Sequence, residues 1–206
     1  MFIKSQELEA PEDLRAGLVF DGKRRDIEIR ADKGSLSYLG EVSAPTGKPF
    51  FLVAARLPQV LATTAKGVIS ATNKTPGASK AFKIDKFAKT LINAESGDSG
   101  FDAVVSDPLE IVLTSNPASV HVGDEIGVRI LANGKPIATT VNATYDGFSK
   151  NEDTYAYSTR STADRSAAVK IRRSGLWMVR VQNSVPEKTD DYDRHVTRAV
   201  FVFEVR

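Results

Sequence analysis

The run Asp190-Asp191-Tyr192-Asp193-Arg194-His195 places three carboxylates and an imidazole within six residues. Oxygen and imidazole donors that close together suit a divalent transition metal. Asp190, Asp191, Asp193 and His195 are therefore the candidate metal ligands, with Ni²⁺ or another divalent ion as the candidate cofactor. The three aspartates could equally take Ca²⁺, but the glycine-bearing spacing of a calcium loop is absent. The plain alternative is a solvated acidic loop between strands. His121, the other of the two histidines, stands beside a Val122-Gly123 turn and reads as a surface residue.

Other chemistries find less to work with. The chain has no Cys, which removes thiolate catalysis, disulfides and Cys-ligated metal sites. No G-x-S-x-G elbow is present to set up a nucleophilic serine. Gly34-Ser35 and Gly47-Lys48 lack the spacing of a phosphate-binding loop. No catalytic residue is assigned, and the chain is expected not to be an enzyme. Trp177, the single Trp, lies in an apolar strand pattern with Val179 and Val181 and reads as core. With 28 basic against 26 acidic residues and a net charge of +2, nucleic acid is not an expected partner. The basic clusters Lys23–Arg25 and Lys170–Arg173 sit beside strand patterns, where charge protects sheet edges.

No apolar run is long enough to span a bilayer. The first residues, MFIKSQELEAPEDL, hold a brief apolar pattern at Phe2 and Ile3 but lack the apolar core of a signal peptide. The absence of Cys does not fix the compartment.

The elements that would carry these residues are strands. Leu14 to Phe20, an Asp21-Gly22 turn and Arg25 to Arg30 read as a hairpin, with Ile27 and Ile29 inward. Ser35 to Val42 reads as a strand offering Tyr38 and Leu39 to the core, and Phe50 to Arg56 as a central strand. Leu57 to Lys80 reads as an extended surface segment rich in turn residues. In Ala81 to Asn93 a strand is favoured only from Phe87 to Ile92. Leu109 to Leu113, Glu125 to Leu131 and Ile137 to Tyr145 follow, the last two joined by Asn133-Gly134, the strongest hairpin signal present. Thr154 to Ser158, Ala167 to Ile171, Leu176 to Val181 and Val196 to Val205 complete the series, with Ser184 to Arg194 a polar loop.

Short strands with turns every eight to twelve residues mean an all-β sandwich. LVFDGKRRDIEI near the start loosely repeats in ILANGKPIATTV, each a strand, an Asx-Gly-Lys turn and a strand. That echo suggests two tandem immunoglobulin-like or transthyretin-like antiparallel domains, 1–100 and 101–206, divided near the Glu95–Gly100 turn. The first domain would lack its opening strand.

A set of short motifs is spread over the second half. In order these are Pro108-Leu109-Glu110-Ile111, Asn116-Pro117, Gly123-Asp124, Asn133-Gly134-Lys135-Pro136, Thr162-Ala163-Asp164-Arg165, Gly175-Leu176-Trp177 and Phe203-Glu204-Val205. From about Asp107 to Arg206 this order and spacing resembles the bacterial domain of unknown function 4198 family. The resemblance implies a periplasmic or extracellular β-sandwich that binds a ligand or a protein partner in the cell envelope. Some members are described as accessory to nickel or cobalt uptake. Two departures stand out: the family's leader and early His-bearing strand have no counterpart here, and Arg165 stands where the family tends to have Gly. The missing His weakens the metal reading, since it would be the natural ligand. The alternative is a structural subunit of a surface assembly that pairs through sandwich edges. Either way, function is expected in the loops at the sandwich ends, chiefly Ser184–His195 and Leu57–Lys80.

Overall fold

The Asx-Gly pairs turn the chain as their residue types require. In a computed structural model that describes residues 8–151, 153–162 and 166–206, Asp21 and Gly22 take φ of 49° and 70°, and Asn133 and Gly134 take 48° and 74°. Both central residues of a type I′ turn need positive φ, which Asx and Gly tolerate best. The strands run β1 (Leu14–Phe20), β2 (Lys23–Ile27), β3 (Ile29–Asp32), β4 (Ser37–Gly40), β5 (Phe50–Thr64), β6 (Gly67–Ser70), β7 (Lys80–Ile92) and β8 (Leu109–Leu113). They continue with β9 (Glu125–Ala132), β10 (Lys135–Pro136), β11 (Thr140–Tyr145), β12 (Tyr157–Arg160), β13 (Ala167–Lys170), β14 (Gly175–Pro186) and β15 (Arg194–Val205). The helical turns among the described residues are two 3-10 turns, Pro11–Asp13 and Pro117–Ser119. The Phe2–Ile3 pattern and the Ala163–Arg165 part of the motif set lie outside the described residues.

The fold is all-β, as expected. Its largest sheet has the order β12-β11-β14-β15-β7-β5-β1-β2, with β6 added to β5. Strands from both sides of residue 100 meet where β15 pairs parallel with β7, from Arg194 opposite Phe82 to Val202 opposite Thr90. A smaller sheet is built on β9, which pairs with β8, β10 and β13. It packs over one face of the large sheet. Ile126, Val128 and Ile130 on β9 are fully buried, as their alternation predicts. They join Trp177, Val179 and Val181 on β14, Phe201 and Phe203 on β15, and Phe51 and Val53 on β5 in one core. Trp177 is a core residue whose indole N–H donates to the Arg173 carbonyl at 2.8 Å. Gly127 is required on β9, because a Cβ there would meet Thr114 Oγ1 at 2.1 Å. Lys23, Arg24 and Arg25 lie on β2, the outermost strand of the large sheet.

Several strand boundaries differ from the sequence reading. The Leu57–Lys80 segment is not mainly surface loop: β5 runs on to Thr64 and β6 pairs back on it. A register shift between Arg56 and Gln59 interrupts the alternation there. It brackets Pro58, a residue that sheets confine to edges and bulges. β6 is exposed along its length and so carries no buried-face pattern. β7 reaches back to Lys80, hidden from the pattern by the charged residues within it. Arg25 to Arg30 divides into β2 and β3, with Ile27 and Ile29 only half-buried. Leu39 is exposed instead of buried.

One buried ion pair ties the two sheets together. Lys89 of β7 and Glu110 of β8 meet at 2.7 Å, with side chains 4% and 2% exposed. Glu110 also accepts the backbone N–H groups of Val105 and Ser106, at 2.8 and 3.1 Å. The Lys89 ammonium lies 5.0 Å from the ring centroids of both Phe51 and Phe201, a cation–π arrangement. Burial draws the Lys89 amine below the usual lysine range, against the pull of Glu110.

Two outcomes follow for stability. Lys89→Met strands a buried carboxylate and is expected to cost about 3–5 kcal/mol in urea unfolding, with Lys89→Met/Glu110→Gln recovering most of it. A double-variant loss equal to the sum of the Lys89→Met and Glu110→Gln losses would mean the pair is not coupled. Beside the pair, burial pushes the Asp107 carboxyl up to about 6, although Arg24 at 3.5 Å pulls the other way. A carboxyl with a folded pKa above its unfolded value of about 3.9 holds its proton more tightly when folded. Its contribution to stability therefore falls as pH rises from about 4 to about 6. Asp107→Asn is expected to flatten that part of the stability profile, and an unchanged slope would contradict the assignment.

Candidate functional site

The Leu57–Lys80 and Ser184–His195 segments converge. The Asn73 N–H donates to the Asp191 carbonyl at 2.8 Å, the Lys74 ammonium pairs with the Asp191 carboxylate at 3.1 Å, and the Asp193 N–H donates to Ala81 at 3.0 Å. Parallel pairing of β15 with β7 and the long β14–β15 ladder bring the ends of four strands side by side.

Between them lies an open groove of about 520 Å³, a size that suits a small ligand. It is on the face of the large sheet turned away from the small one. β5 contributes Thr63; β7, Lys80 and Phe82; β14, Gln182 and Ser184; β15, Arg194, Val196 and Arg198. The period-two alternation of β15 sends Arg194, Val196 and Arg198 to the groove and His195 to the opposite face. Phe82, Ala81, Val196 and Pro186 make the apolar part of the lining. The cations are Lys80, Arg194 and Arg198, against the single carboxylate of Asp193. Arg198 Nε donates to Gln182 Oε1 at 2.8 Å.

Behind the groove, His195 is held between two carboxylates. Its Nε2 is 2.6 Å from Asp85 Oδ2 and its Nδ1 is 3.2 Å from Glu187 Oε2. Tyr192 donates its hydroxyl to Glu187 at 2.8 Å. That bond, more than the neighbouring Lys83 and His195, lowers the Glu187 carboxyl and raises the Tyr192 phenol. Lys83 lies over the Tyr192 ring at 5.8 Å.

The four expected metal ligands are distributed over different tasks. Asp191 serves Lys74, and Asp193 uses its backbone to hold Ala81 and Glu187. Asp190 is exposed. His195 faces Asp85 and Glu187 with its two ring nitrogens, so neither is turned to Asp190, Asp191 or Asp193. Among the described residues, no group of three or more His, Asp or Glu side chains is arranged to hold a metal ion. As placed, this donor set does not fit a transition metal. His121 is exposed as expected, 3.6 Å from Asp124.

Asp85, Glu187 and the groove cations were not singled out by sequence. Asp85 sits in the part of β7 whose pattern was obscure. Val196 and Arg198 lie on a strand expected from Val196 to Val205, whereas Arg194, expected in the preceding loop, is the first residue of β15.

A family model matches residues 22–185, described as Domain of unknown function (DUF4198). The chain belongs to this family. The match begins well before Asp107, where the motif resemblance starts, and ends ahead of Phe203-Glu204-Val205. It therefore takes in β2 to β13 and most of β14, including β5 and β7 of the groove, but not β15. No curated protein and no solved structure matches this DUF4198 chain.

The His195 contacts should pin the 187–193 loop. His195→Ala is expected to speed amide exchange at Glu187 and Thr189 by about tenfold, equivalent to about 1.4 kcal/mol, with His195→Gln intermediate. Unchanged exchange would mean that the loop is held by its own turn alone.

Proposed function

We propose that this DUF4198 chain is a non-enzymatic, exported β-sandwich protein that binds a ligand or partner in the cell envelope through the groove at the end of its large sheet. In this reading it is built of two tandem immunoglobulin-like modules, 1–100 and 101–206, joined along β7 and β15. One observation carries the binding assignment: the two polar segments that lie far apart in sequence meet at a single groove with both apolar and charged walls. Its lining comes chiefly from strands, which hold binding groups more rigidly than loops do.

Two narrower versions draw less support. A role in nickel or cobalt uptake would need a ligand set other than Asp190, Asp191, Asp193 and His195 as they are placed. A role as an assembly subunit would need a free sheet edge, and at β2 the side chains of Lys23, Arg24 and Arg25 discourage strand addition.

Co-sedimentation of the purified chain with isolated membrane vesicles and with cell-wall sacculi tests the reading. Retention by one fraction, reduced at least about tenfold by the groove-filling Ser184→Trp, is the expected result. Retention by neither fraction, or retention that Ser184→Trp leaves intact, would remove the groove from the proposal. Native mass spectrometry with and without Ni²⁺ addresses the metal version, which fails if neither mass nor melting temperature changes.

A further inference from the structure

The outer face of the large sheet breaks a rule of sheet construction beside the groove. Arg56 on β5, Lys86 on β7 and Arg198 on β15 stand directly opposite one another across three adjacent strands. Arg180 lies on β14, one diagonal step from Arg198. Like charges placed directly opposite destabilise a sheet. Carboxylates offset the ends of this row: Glu9 serves both Arg56 and Lys86, at 3.4 and 3.3 Å, and Asp153 pairs with Arg180. Arg198 in the middle has no carboxylate within 4.0 Å among the described residues. Among the described residues its hydrogen-bonded neighbour is the neutral Gln182 amide. Burial, and then the nearby Arg180, weakens its hold on its proton, with Asp153 and Tyr155 acting the other way without reversing it.

Arg198 is also the point where the row enters the groove. Two further cations, Lys80 and Arg194, line the same space, and neither has a carboxylate within 4.0 Å among the described residues. Phe82, Val196 and Pro186 line it as well, and Val196 is nearly fully buried. A guanidinium presents a planar fork of donors that matches carboxylate, sulfate and phosphate oxygens. An apolar surface next to it suits a ligand with a hydrocarbon or aromatic body.

We infer that the groove is a binding site for an organic anion, whose carboxylate, sulfate or phosphate group sits on Arg198 and whose apolar body lies along Phe82, Val196 and Pro186. Lys80 and Arg194 supply the field that draws the anion in. The assignment rests on the groove being the binding site proposed above and adds the chemistry of what it takes.

Isothermal titration of the full chain with naphthalene-2-sulfonate, inorganic sulfate and 2-naphthyltrimethylammonium separates the contributions. Saturable binding of naphthalene-2-sulfonate at one site is expected, with the other two probes at least about tenfold weaker. Arg198→Gln should weaken the sulfonate by about tenfold or more with an unchanged far-ultraviolet dichroism spectrum. The exposed pair Lys80→Gln/Arg194→Gln, which disturbs no buried contact, should weaken it by several-fold and make it less sensitive to salt. Absence of saturable sulfonate binding overturns the inference, as do equal affinity for the trimethylammonium probe and indifference to both the Arg198 variant and the Lys80/Arg194 pair. If an envelope fraction still retains the chain in a groove-dependent manner, failure here removes the anion and leaves the groove. If sulfonate binds but Ser184→Trp does not impair it, the groove itself is wrong.

Discussion

Lys89 and Glu110 are the nearest thing in this molecule to a keystone, and the reason is desolvation. An ion pair withdrawn from water holds only while each charge keeps its partners, because either one left alone costs several kcal/mol. Glu110 has three donors, and Lys89 has Glu110 and two aromatic faces. Those requirements set the path of the surrounding chain. The connection before β8 must bring the Val105 and Ser106 N–H groups onto one carboxylate, and Ser106 takes a φ of 66° in doing so. Asp107 then arrives beside Arg24 of β2. The small sheet is thereby fixed over the strands of the first half, and the parallel β15–β7 ladder follows from the same placement, since Phe201 stands opposite Lys89.

With β7 and β15 locked together, their other ends become a platform with two uses. The inward-facing positions carry Asp85 and His195, which with Glu187 and Tyr192 hold the 187–193 loop. The outward-facing positions carry Phe82, Arg194, Val196 and Arg198, which line the groove. Alternation along one strand thus puts the fastening of a loop on one face and its exposed chemistry on the other. The loop residues that looked most like ligands in sequence belong mainly to the fastening.

How much of this was legible depended on whether a residue obeyed its local rule. Asp21-Gly22, Asn133-Gly134, the Ile126–Ile130 alternation and Trp177 all did, and each was read correctly. The family, too, was identified from turn residues and strand motifs. β7 was obscured because Asp85 and Lys89 are buried charges, and no single-strand pattern distinguishes a buried lysine with a partner from an exposed one. β5 was cut short at its bulge, and β6 has no buried face to give a period. The partners of His195 could not be read at all: Asp85 is 110 positions away, brought near only by a parallel pairing that no local turn announces.

Local rules are broken here in two places, and the difference between them separates architecture from function. At Lys89–Glu110 the charges are buried, opposed in sign and supplied with partners from three directions; such a site is closed and has nothing left to bind. Along Arg56, Lys86 and Arg198 the charges are of one sign and lie on the outer face of the large sheet, Arg56 buried and the other two half-exposed, and they are only partly compensated. Were the row needed merely to keep that face soluble, alternating signs would do so without repulsion, as cross-strand pairs commonly do. Sequences tolerate such conflicts chiefly at functional sites, where the missing partner comes from outside. Arg198, the one of the three with no carboxylate within 4.0 Å among the described residues, is also the one that opens onto the groove, so the local electrostatic deficit and the available space coincide at one side chain.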